Sequence, residues 1–194
     1  MSKTRKLLLT VLVIGIVGAL AGVGTFSAFS STTVNSGNDF AAGTVFISDN
    51  DSGSAMYNVS NQSPNNSLTR CITVTYTGTL DADVTLYSSA IGALGDYVDL
   101  TIDKGTGAVA FGAGCAGFVN GGNVYTGELD DFAAAHSNFG NGLVVNPGAA
   151  SEWVQNDAVV FRYTLTLQDN NLANGGATPL STGAHSWTWE AQNN

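Results

Sequence analysis

Residues 159–167 alternate apolar and polar side chains at every second position. In an extended strand this puts Val159, Phe161, Tyr163, Leu165 and Leu167 on one face and Arg162, Thr164 and Thr166 on the other. A helix would scatter the same residues around its surface, so the segment predicts a strand with one buried face. The pattern recurs at 71–76, where Ile72, Val74 and Tyr76 share a face, and at 186–191, where Trp187, Trp189 and Ala191 do. Shorter strands are predicted over 44–48, 55–59, 83–88, 98–103, 124–126 and 152–154. Turn signals stand between them, at Asn65-Asn66, Gly121-Gly122, Pro147-Gly148 and Gly175-Gly176. Many short strands with such turns predict an all-β chain, an antiparallel jelly-roll-like β-sandwich. One short helix is predicted over 128–136, where Leu129, Phe132, Ala133 and His136 fall on one face. The glycine-rich stretch 105–122 reads as an irregular connection between sheets. A phosphate loop would need a lysine and a strand-to-helix setting, and neither is present.

Charge distribution narrows the function. The chain has 194 residues with 15 Asp+Glu against 6 Lys+Arg. Lys3, Arg5 and Lys6 sit at the start, and every acidic residue follows Asp39 or is Asp39 itself. Beyond the start only Arg70, Lys104 and Arg162 are basic, so the chain is not expected to bind nucleic acid or an anionic membrane surface. A long coiled coil is also excluded, because only 11% of residues are charged.

The basic start is followed by an uncharged apolar run over 7–23, which reads as a signal peptide. Its seventeen residues fall short of the roughly 20 a spanning helix needs, and four glycines weaken its distal half. The expected organisation is a signal peptide over 1–28 and a single secreted β-sandwich domain over 29–194. Membrane contact is expected only through the uncleaved segment. The small-x-small rule would cut after Ser27. In an exported chain the two cysteines, Cys71 and Cys115, predict one disulfide. It closes a loop of 44 steps, worth about 4 kcal/mol in the chain-entropy model.

Candidate sites are sparse. Asp49-Asn50-Asp51-Ser52-Gly53 resembles the opening of a calcium loop, which makes Asp49 and Asp51 a calcium candidate. Ser60 stands where an EF-hand needs a bidentate Glu, so an Asx-rich turn is the preferred reading and no cofactor is expected. The histidines, His136 and His185, form no HExxH. A catalytic zinc would need both to converge with a carboxylate such as Glu128, Asp131 or Glu190. Residues 185 and 190 fall on opposite strand faces, and His136 reads as a helix end. No catalytic residue is assigned. Asn58, Asn61 and Asn65 each begin an N-glycosylation acceptor triplet.

The residues Gly24-Thr25-Phe26-Ser27-Ala28-Phe29-Ser30 and Asp39-Phe40-Ala41-Ala42-Gly43-Thr44-Val45 resemble the opening of TasA and camelysin-like proteins. Looser likenesses are Leu68 to Gly78, similar to the family strand before a T-G turn, and Trp187 to Gln192, similar to its closing strand. The resemblance implies a jelly-roll domain and export through a SipW-type signal peptidase. It moves the cleavage to follow Ala28, leaving Phe29 as the mature start. It also implies self-assembly into biofilm-matrix fibres, in which the N-terminal segment of one subunit completes the sheet of the next. The first function expected is thus a secreted structural subunit at the cell surface or outside the cell. The alternatives are a camelysin-like secreted metalloendopeptidase and a calcium- or sugar-binding surface module.

Overall fold

The computed structural model describes residues 2–24, 33, 36, 39–174 and 180–193. The expected cleavage positions Ala28 and Phe29 and the turn at Gly175-Gly176 lie outside these residues. The chain divides into two compact units, 1–41 and 42–194.

In the first unit, α1 spans Lys3–Gly24. Its apolar residues cover all sides instead of one stripe, and Leu7 through Val17 stay exposed, Leu8 at 68%. Among the described residues no helix is long and apolar enough to cross a membrane.

Among its described residues the second unit holds nine strands: β1 (Ile47–Asp49), β2 (Ser67–Tyr76), β3 (Asp83–Ser88), β4 (Val98–Thr106), β5 (Gly112–Ala113), β6 (Val119–Glu128), β7 (Leu143–Val144), β8 (Ala158–Leu167) and β9 (Trp187–Gln192). They form two sheets. One is ordered β1-β2-β8-β4-β6 with β5 added on β2, and the other is β7-β3-β9. Every pairing is antiparallel. The molecule is an all-β sandwich, as the alternation predicts.

β8 is central because it alternates most strictly and can pair on both sides. Phe161 stands opposite Ile72, and Tyr163 opposite Ile102. These inward residues meet Val84, Leu86, Trp187 and Trp189 of the other sheet in one buried cluster. Phe161 stacks on Trp189 with ring centroids 5.5 Å apart, and Tyr163 on Trp187 at 4.7 Å. Helix α2 (Leu129–Ala135) adds Leu129 and Phe132, both essentially unexposed.

Three expectations are corrected, and two elements were not expected. The 55–59 segment forms no strand; Tyr57 is anchored through its side chain instead of a ladder. At 152–154 only Trp153 pairs, in an isolated bridge to Ala82. The stretch 105–122 does not connect the sheets: β4 and β6 pair with each other in the same sheet, through two register shifts. Glycine permits this, because a Cβ on Gly105 would collide with the carbonyl oxygen of Val119. Finally, β7 and the one-turn α3 (Asn171–Asn174) carry no periodic signal long enough to read.

Candidate functional site

The two sheets close tightly at their centre but not along one side. There β1, which pairs only with β2, faces β9, which pairs only with β3. Between them lies a cleft of about 210 Å³, lined by Ile47, Ser48 and Asp49 of β1, Val74 of β2, and Trp187 to Trp189 of β9. The sequence dictates its character. Trp187 and Trp189 share the inward face, so two indoles floor the cleft, and the three-residue β1 is too short to cover them.

The indoles differ in polar partner. Trp187 Nε1 donates to the Tyr57 hydroxyl at 3.2 Å, and that hydroxyl lies 2.6 Å from His185 Nε2. Burial pushes the Tyr57 phenol up to about 12. Trp189 Nε1, by contrast, is buried and has no acceptor among the described residues. Leaving such a donor unpaired costs about 1–3 kcal/mol.

The edges are unequal as docking strands. β6 is long but bent by its bulges, and β7 has two residues. β9 runs six residues in unbroken register with β3. A regular edge of that kind can accept another extended strand.

The sequence-derived site residues are dispersed. Asp49 Oδ1 accepts from the Asp51 N–H at 2.9 Å, and Asp51 Oδ1 accepts from the Gly53 N–H at 2.6 Å, an Asx turn at each. Burial, and then the neighbouring Asp51, hold the Asp49 carboxyl above its usual range. His136 Nδ1 lies 2.7 Å from the Asn141 carbonyl, and its ring packs on Phe132. His185 sits beyond Trp187, which itself packs on Phe132, so two aromatic rings intervene between the histidines. Glu190 takes a hydrogen bond from the Tyr87 hydroxyl at 2.8 Å. Bonds from Gln192 and Tyr87 hold its carboxyl below the usual range. Asp131 and Glu128 stay at the start of α2. Among the described residues no group of three or more His, Cys, Asp and Glu is placed to hold a metal ion. Cys71 and Cys115 do come together in a disulfide, with Cα atoms 5.4 Å apart. Asn58, Asn61 and Asn65 are exposed.

Residues 3–92 match the family model described as camelysin metallo-endopeptidase. Over that stretch the chain is similar to the TasA/camelysin-like family. The matched stretch holds α1 and β1 to β3, and it contains no histidine: His136 and His185 both lie beyond it. Among the described residues, the matched stretch therefore brings together no histidine-based ligand set for the metal that the family's description implies. No curated protein matches the chain.

What the sequence could not reveal was the cleft itself. Alternation identifies Trp187 and Trp189 as inward, but whether an indole finds an acceptor depends on packing between distant segments.

Proposed function

We propose that this chain is a secreted structural protein resembling TasA, a self-assembling subunit of an extracellular fibre or biofilm matrix. The single observation that carries the reading is the open side of the sandwich, where the regular edge of β9 borders a cleft lined by Trp187 and Trp189. The family match and the disulfide agree with an extracellular or surface protein.

The donated element is the segment after the signal peptide, removed between Ala28 and Phe29 by a SipW-type peptidase. Residues 29–38 are Ser, Thr, Asn and Gly apart from Phe29 and Val34. Such a segment has too few apolar residues for a core strand, yet 32–34 is β-competent. Added to a neighbour's edge, each residue contributes backbone hydrogen bonds worth about 1 kcal/mol net. The contact joins two different surfaces, so it propagates into an open filament instead of closing as a dimer. Light scattering and electron microscopy test this: protein beginning at Phe29 polymerises on concentration, and protein beginning at Asp39 stays monomeric. Two monomeric samples would overturn it.

A further inference from the structure

The ten-residue strand β2 has two edges of very different construction. Towards β8 it pairs without interruption from Ser67 to Thr75. The opposite edge is covered in pieces: β1 pairs Val74 to Tyr76, and the two residues of β5 pair Arg70 and Cys71. Asn50 fills the gap between them. Its N–H donates to the Thr73 carbonyl at 3.2 Å, and its Oδ1 accepts from the Thr73 N–H at 2.9 Å. Its Nδ2 reaches the Val109 carbonyl in the segment that carries β5, at 3.5 Å.

Apart from the partly buried Phe111, which packs against the core, that segment has little of its own to keep it in place. Gly107, Gly112, Gly114 and Gly117 all adopt positive φ, so the free chain has wide conformational freedom to regain. Two residues of ladder do not offset that entropy. The covalent link follows two residues after β5, from Cys115 to a Cys71 that is wholly buried.

We propose that the Cys71–Cys115 disulfide is a latch that holds β5 as a plug on the edge of β2, and that reduction releases the plug and bares that edge. A dithiol reductant supplies two electrons and two protons: the sulfur–sulfur bond breaks, Cys71 and Cys115 become thiols, and the reductant closes its own disulfide. A bared edge then presents unpaired N–H and C=O groups to any extended strand. The sandwich survives release, because the ladders joining β2, β8, β4 and β6 do not run through the plug, whose one contact with the core is the partly buried Phe111.

The reporter is the amide of Cys71. The Thr73 N–H faces the plugged edge, so Cys71, two residues away, turns its N–H the same way, while Ile72 and Val74 turn theirs to β8. Residue-resolved amide exchange is measured by NMR on the full chain in detergent micelles, oxidised, with dithiothreitol, and as Cys115→Ala. Both plug-released forms are expected to exchange the Cys71 amide on the order of tenfold faster or more, with Ile72 and Val74 unchanged. An equally protected Cys71 amide in all three samples would overturn the latch. Loss of protection throughout β8 and β4 would also overturn it, because the bond would then hold the fold and not the plug.

Discussion

Replacing Trp153 separates two contributions to the core that the structure assigns to one side chain. Trp153 is fully buried, and its Nε1–H donates to the Val145 carbonyl at 3.0 Å. Its backbone exchanges bonds of 2.8 and 3.1 Å with Ala82, and these survive any substitution with a backbone N–H. Trp153→Phe keeps most of the apolar contact but leaves the Val145 carbonyl without that donor. The lost bond and the orphaned acceptor together cost about 2 kcal/mol, within the 1–3 kcal/mol range for such groups. Trp153→Ala also removes the ring and leaves a cavity, which raises the loss to about 4 kcal/mol. Urea unfolding followed by far-ultraviolet circular dichroism measures both, with an unchanged m-value certifying that the native state is intact. A Trp153→Phe variant within about 0.5 kcal/mol of the parent, the range of an ordinary surface change, would refute the role given to that hydrogen bond.

Two further predictions concern the sheet and the aromatic cluster. Arg162 bridges to Asp103 at 2.7 Å, with the side chains 32% and 10% exposed. Its guanidinium also lies 4.5 Å from the centre of the Phe118 ring. An Asp103→Asn, Arg162→Met double-mutant cycle should give a coupling of about 1–2 kcal/mol, between the values for exposed and buried pairs. Tyr57, raised by burial to about 12, stays protonated in the folded chain where an unfolded tyrosine near 10 ionises. Its folded pKa is the higher one, so its contribution is complete below pH 10 and is lost as pH rises towards 12. Chemical unfolding at stepped pH should show stability falling across that window, with a smaller slope for Tyr57→Phe.

The strands that proved legible were those that alternate without interruption over many residues. Residues 159–167 and 71–76 alternate because each lies across one core, and both appear as β8 and β2 with the expected faces inward. The disulfide was legible from two cysteines in a chain whose start reads as a signal peptide. The β5 plug and the length of β6 were not, because glycine carries no periodicity: Gly105 and Gly107 are there to let strands approach, and spacing does not show it. The open cleft was illegible for another reason. It exists because β1 stops after three residues, and an expected strand over 44–48 would have covered more of it. The 55–59 segment looked like a strand, but it is held by the Tyr57–His185–Trp187 contacts, which join residues 128 and 130 positions apart.

The three tryptophan indoles give the most direct test of assembly through the open side of the sandwich. Trp153 Nε1 is bonded to Val145 and Trp187 Nε1 to Tyr57, while Trp189 Nε1 finds no partner among the described residues. A synthetic peptide with the sequence of residues 29–38 is titrated into nitrogen-15-labelled protein beginning at Asp39, and the indole and backbone amide signals are followed by NMR. The account predicts saturable shifts of the Trp189 indole and of the β1 and β9 amides, with the Trp153 indole unmoved. A titration in which Trp189 does not shift, or in which the shifts fall on β6 instead, would contradict it.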